Sequence, residues 1–145
     1  MLDLNLTGVF LTAQAAGRRM VAAGSGLILA TSSIYGLTAA ANRVAYTATK
    51  GAVAQLVRTL ASEWGPSGVR VNAVAPGYVR TAMVENLLQQ GVLDAAPLMA
   101  RTTMRRFGRP ADIAAMACFL ASPAAAWING TVMSVDGGWM ANGGP

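Results

Sequence analysis

A short uncharged run, Gly26–Ser33 (Gly-Leu-Ile-Leu-Ala-Thr-Ser-Ser), restricts the folds open to this chain more than any other stretch. It is bounded by Gly and Ser and is too short for a core helix, so it reads as a strand apolar on both faces. Such a strand needs cover on both sides. The next periodic segment supplies part of it: between Val44 and Trp64, residues Ala45, Ala48, Ala52, Val53, Leu56, Val57, Leu60 and Trp64 form a broad apolar helical stripe, stopped by Gly65-Pro66-Ser67-Gly68. A second strand, Val69–Ala75, alternates and is rich in Val. Strand, helix and strand in that order predict a parallel sheet with crossover helices.

The flanks extend the pattern. Leu6, Val9, Phe10, Ala13, Gly17, Met20 and Val21 recur at helical spacing over residues 3–23, and Gly24 ends that helix. A further helix starts near Arg109-Pro110 and runs to about Ala121, and Gly130–Val135 is a third strand. Residues 82–109 are apolar without a sustained period. They read as a mobile flap, as a pair of short core-packing helices, or as both.

Composition narrows the function classes. The chain has 145 residues, 54% hydrophobic and 12% charged, with a net charge of +5. That length suits one domain, residues 1–145, with its own core. The basic residues are scattered apart from Arg18-Arg19 and the set Arg101, Arg105, Arg106 and Arg109, without interleaved aromatics, so nucleic acid is not an expected partner. The four-arginine set could attract an anionic substrate, although solvated charge is the commoner explanation. There is no His and no acidic cluster, so no metal site is expected. Cys118, the only cysteine, sits in an apolar helical pattern and is expected to be inert core. Met20–Asn42 and Ile113–Val135 carry no charge, but Gly, Ser and Pro interrupt them, so they read as helix–loop–strand pieces rather than membrane spans. No basic n-region follows Met1, and a cytosolic protein is expected.

The chemistry concentrates at Ser33–Lys50. Tyr46 and Lys50 are four apart at the start of a helix and share a face. A phenol with pKa about 10 is a poor acid or base at neutral pH, and a nearby cation favours its ionised form. Tyr46 beside Lys50 could therefore exchange a proton with a substrate oxygen. The bare pair is common in helices, where it more often means a half-buried Tyr above a solvated Lys. Ser33 ends the first strand thirteen residues before Tyr46 and could hydrogen-bond the same oxygen. Ser32 could serve only the turn backbone. Asn5 lies in the first turn of the first helix, where a capping or solvent-facing role is the ordinary reading. Pro76-Gly77-Tyr78-Val79-Arg80-Thr81 follows the second strand. A turn there lies at the carboxyl edge of a parallel sheet, where free N–H groups and the Thr81 hydroxyl could bind a carboxamide or phosphate, and Gly77 would allow close approach.

Asn5, Ser33, Tyr-x-x-x-Lys at Tyr46 and Lys50, and Pro-Gly-x-x-x-Thr at Pro76–Thr81 together resemble the short-chain dehydrogenase/reductase family. The resemblance runs through almost the whole chain, but only to the family's C-terminal part. It implies α/β architecture, the C-terminal portion of a doubly wound, Rossmann-like parallel sheet whose N-terminal strands are missing. It implies hydride transfer between NAD or NADP and a small-molecule alcohol/carbonyl pair. Carried over residue by residue, Tyr46 is the general acid/base, Lys50 supports it and holds the nicotinamide ribose, Ser33 positions the substrate oxygen, and Asn5 completes a proton relay. Pro76, Gly77, Val79 and Thr81 match the segment that contacts the nicotinamide side. Homo-oligomers through the 3–23 and 44–64 helices are implied too. The tail from Arg105 to Trp139 is most similar to the branch with 3-oxoacyl-carrier-protein reductases and sugar dehydrogenases.

One departure stands out: no Gly-rich strand–helix turn occurs in the sequence, so the pyrophosphate cradle of the family has no counterpart. Met1 is accordingly expected to be an internal methionine of a longer protein, and the 145-residue chain to bind dinucleotide poorly. The alternative of another class is a non-catalytic oligomerisation module derived from the family.

Overall fold

The computed structural model describes residues 1–142. Three parallel strands, β1 (Gly26–Thr31), β2 (Val69–Pro76) and β3 (Val132–Val135), form one sheet in the order β1-β2-β3. Helices α1 (Gly8–Ala23) and α2 (Val44–Trp64) lie on one face, and α5 (Pro110–Ala121) covers the other. The period-2 alternation of β2 divides the core between the faces. Val69, Val71 and Ala73 meet Ala13 of α1 and Val53, Val57, Leu60 and Ala61 of α2, whereas Val74 meets Leu120 of α5. The alternation seen in the sequence is thus two buried faces, as a sheet with helices on both sides requires.

The first helix differs from the expected single run over 3–23. Asp3–Thr7 form a wider π-type turn before α1 begins, and Gly8 N–H reaches back to the Asp3 carbonyl. Gly24 ends α1 as expected, at φ 68°, a left-handed conformation that favours glycine. Gly17 admits the Trp64 indole against its backbone, which locks α1 to the end of α2. Residues 82–109 contain two short helices, α3 (Ala82–Gln89) and α4 (Ala95–Arg101). Cys118 is a correction: it is exposed, not core. Every residue of α5 from Ile113 to Ala121 is uncharged, so its sequence does not distinguish the face carrying Ile113, Met116 and Leu120 from the face carrying Cys118 and Phe119.

Strand β3 starts at Val132 rather than Gly130: Gly130 N–H still donates to the Val71 carbonyl, but two asparagine side chains take the N–H groups of Val71 and Thr131. Asn129 Oδ1 accepts from Val71 N–H at 2.8 Å. Asn72, fully buried, donates through Nδ2 to the Ile128 carbonyl at 2.8 Å and accepts from Thr131 N–H at 3.1 Å through Oδ1. Its amide therefore holds the loop that delivers β3. Asn72→Ala leaves the half-buried Thr131 N–H without its acceptor and the Ile128 carbonyl with only the longer, 3.4 Å bond from Arg70. The expected cost is about 1–3 kcal/mol, the penalty for one unsatisfied group. Chemical denaturation reads this as a lowered midpoint, and a loss below about 1 kcal/mol would contradict the assignment.

Among the described residues, strand β1 pairs on one side only. Ser32 N–H donates to the Val74 carbonyl at 2.8 Å, so even-numbered residues of β1 turn their backbone groups toward β2. Odd-numbered ones, including Thr31, turn theirs away from it.

Candidate functional site

All three strands end on the same side of the sheet, and the loops that leave β1 and β2 there enclose a cavity of about 740 Å³. Loop residues Ser33 and Tyr35, Arg43 and Tyr46 from the start of α2, and Pro76 through Val79 with Thr81 line it; α3 and α5 close it with Met83, Val84, Leu87 and Ile113. Of the sequence-derived site residues, Ser33, Tyr46, Pro76, Gly77, Val79 and Thr81 therefore meet around one space.

Lys50 and Asn5 do not line it. They face a second cavity of about 480 Å³ between α1, α2 and β1, and the two cavities meet at Thr31, which lines both. Lys50 Nζ donates to the Thr31 carbonyl at 2.9 Å and lies 5.8 Å from the centre of the Tyr46 ring. Partial burial lowers the pKa of this ammonium, since removal from water disfavours its charged form. The backbone end of Lys50 is held as well: Ser32 Oγ donates to the Lys50 carbonyl at 2.9 Å. Ser32 thus serves backbone, as its position after the strand allows. Ser33 is buried, and its Oγ accepts from Tyr35 N–H at 3.1 Å, with its own proton left to donate.

The turn after β2 corrects one expectation. Gly77 N–H is not free: it donates to the Val135 carbonyl at 3.0 Å. The close approach that requires glycine is to Asp136 after β3, whose Cα would lie 2.8 Å from a Cβ at residue 77. Thr81 caps α3, its hydroxyl accepting from Val84 N–H at 3.3 Å. Arg80 N–H bonds the Gly108 carbonyl and its side chain pairs with Glu85. The four-arginine set is largely engaged: Arg106 and Arg109 pair with Asp112, Arg105 donates to the Ala100 carbonyl, and Arg101 lies 4.6 Å over the Trp139 ring.

Sequence reasoning did not single out the pair that forms one cavity wall. The Tyr35 and Tyr78 hydroxyls lie 2.9 Å apart and their rings meet edge to face. Burial, and next the bond to Tyr35, raise the Tyr78 pKa above its ordinary value, which favours the neutral form of Tyr78. The available signal was that each Tyr follows a strand at the same sheet edge.

An architecture of this kind places the chain in the class of doubly wound α/β proteins, whose ligands sit outside the carboxyl ends of a parallel sheet. Residues 1–140 match a family model described as enoyl-(acyl carrier protein) reductase. The chain is 41% identical over 140 residues to 2-dehydro-3-deoxy-D-gluconate 5-dehydrogenase of Pseudoalteromonas atlantica, covering 97% of this chain and 55% of that protein. It is 45% identical over 141 residues to galactitol 2-dehydrogenase (L-tagatose-forming) of Cereibacter sphaeroides, covering 96% and 55%. A solved gluconate 5-dehydrogenase from Burkholderia cenocepacia, in complex with NADP and tartrate, superimposes with a TM-score of 0.91 at 35% identity, covering 97% of this chain and 55% of that one. The chain belongs to the short-chain dehydrogenase/reductase family. It spans about half the length of the relatives it matches.

Proposed function

We propose that this chain forms the catalytic and substrate-binding portion of an NAD(P)-dependent oxidoreductase that interconverts an alcohol and a ketone. The observation that carries the reading is that Ser33 and Tyr46 face one cavity at the carboxyl edge of the sheet, with Lys50 fixed against the strand end one turn beyond Tyr46. A bound nicotinamide would accept or give the hydride. Ser33 donates a hydrogen bond to the substrate oxygen, and Tyr46 takes the hydroxyl proton during oxidation and returns it during reduction. The Lys50 charge beside the ring stabilises the negative charge that the Tyr46 oxygen then carries. Asn5, facing the same second cavity as Lys50, completes a proton route to solvent. Pro76, Gly77, Val79 and Thr81 border the nicotinamide position.

These residues fit the nicotinamide half of a dinucleotide, since the Thr81 hydroxyl and the cavity edge are available to it, but the sequence has no Gly-rich turn for the pyrophosphate. Weak cofactor binding by the 145-residue chain follows. Fluorescence titration of the chain with NADPH or NADH is expected to show no saturation at micromolar concentration. A mixture with the dinucleotide-binding half of a relative is expected to saturate and to turn over. Tight binding by the chain alone would refute this. We further propose a cytosolic homo-oligomer associating through the 3–23 and 44–64 helices. Support comes from the apolar side chains these helices expose, Leu4, Phe10 and Leu11 on the first and Val44 on the second. The same faces are what favours the second reading, a non-catalytic oligomerisation module.

A further inference from the structure

Among the described residues Arg43 is the one arginine that lines the cavity. Arg80, Arg106 and Arg109 pair with carboxylates, and Arg105 bonds a carbonyl. The Arg43 guanidinium makes no ion pair and no hydrogen bond among the described residues, and lies 6.0 Å over the Tyr35 ring at the cavity rim. Its position is built rather than incidental. Asn42 before it adopts φ 60°, a left-handed conformation, and Arg43 then serves as the residue that opens α2. It stands three positions before Tyr46, and both line the cavity from the first turn of α2. The positive end of a 21-residue helix adds to its charge there. No Asp or Glu lines the cavity.

Apart from Thr31, Ser33, Thr81 and the tyrosines, the rest of the lining is apolar. Ile34, Val79, Val84, Leu87, Leu93 and Ile113 offer no hydrogen bond to a hydroxylated chain, and Tyr35 and Tyr78 use their hydroxyls on each other. A polyol laid across this wall would lose water from several hydroxyls without replacement, an unfavourable exchange.

We infer that the cavity selects a hydroxy- or ketocarboxylate with an apolar body, its carboxylate held by Arg43 and its reacting oxygen between Ser33 and Tyr46. The inference rests on the oxidoreductase reading for the second contact only; the first is a matter of binding. Guanidinium and carboxylate match as planar, two-pronged partners, and Arg43 binds the ground and transition states alike, so its loss raises KM and spares kcat.

The test is equilibrium binding of three ligands to the purified chain by calorimetry or ligand-observed NMR: 4-hydroxycyclohexanecarboxylate, its methyl ester and D-gluconate. The acid is expected to bind about tenfold more tightly than the ester, a difference of about 1.4 kcal/mol, and more tightly than gluconate. Arg43→Gln is expected to remove the advantage over the ester. Arg58→Gln, which removes an exposed charge on α2 outside the cavity lining, is expected to keep it. An ester bound as well as the acid, or an advantage that survives Arg43→Gln, overturns the role of Arg43. Gluconate bound ahead of the cyclic acid overturns the apolar body. Binding through Arg43 without any turnover after complementation would leave this inference standing and defeat the oxidoreductase reading instead.

Discussion

Tyr46→Phe is expected to lower turnover by about 10²–10⁴-fold, the range that positioned acid–base groups supply, while leaving stability and self-association unchanged. The structure makes this substitution unusually clean. The Tyr46 hydroxyl bonds no described residue, so its removal orphans no partner, and the ring that packs beside Lys50 is kept. Ser33 offers no such clarity: its Oγ holds Tyr35 N–H, and Ser33→Ala would disturb the loop as well as the chemistry. The rate is to be followed by nicotinamide absorbance in the chain complemented with a dinucleotide-binding half, and self-association by sedimentation of the chain alone. A variant retaining turnover within tenfold of the parent would end Tyr46's candidacy as acid/base. Loss of association together with turnover would point to the oligomerisation module instead.

Gly36→Ala is expected to destabilise the chain by about 2–4 kcal/mol. A methyl group there would lie 2.5 Å from the Lys50 carbonyl oxygen and 2.6 Å from Ser32 Oγ, with no flexible side-chain end to give way. The loop would have to retreat from α2, adding about 1–3 kcal/mol of overpacking to about 0.5–1.5 kcal/mol for the strained Ser32–Lys50 hydrogen bond. Gly51, one residue beyond Lys50, is the control. A methyl group there meets the Gly36 carbonyl at 3.6 Å, an ordinary contact, within a helix. Gly51→Ala is expected to stabilise by about 0.5–1 kcal/mol through lower backbone entropy in the unfolded chain. Urea midpoints of the two variants should move in opposite directions. A Gly36→Ala chain as stable as the parent would show that loop and helix are not in register as described.

The elements were legible in the sequence wherever a period governed them. The stripe between Val44 and Trp64 gave α2 its observed limits, and the valines between Val69 and Ala75 marked β2 because both its faces are buried. What the sequence left hidden depended on a single side chain or a close approach. Nothing in the string distinguishes Asn72, fixed by two backbone partners in the core, from a surface Asn in a strand. Gly77 looked like a glycine made for a ligand, and its close neighbour is Asp136, more than fifty residues away in the chain. The turn of one helix that joins Tyr46 to Lys50 likewise does not say that their side chains part, one toward each cavity. Tyr35, Tyr78 and Arg43 became visible together only when two loops closed on each other.

The bond from Lys50 Nζ to the Thr31 carbonyl falls on the side of β1 that carries no neighbouring strand among the described residues. That carbonyl is where a strand added to this edge would look for its last partner, and a lysine placed there discourages indiscriminate pairing. A segment that pairs along β1 as far as Thr31 would have to displace the ammonium. A strand added along this flank and the Lys50 ammonium would therefore compete for one oxygen atom, the Thr31 carbonyl.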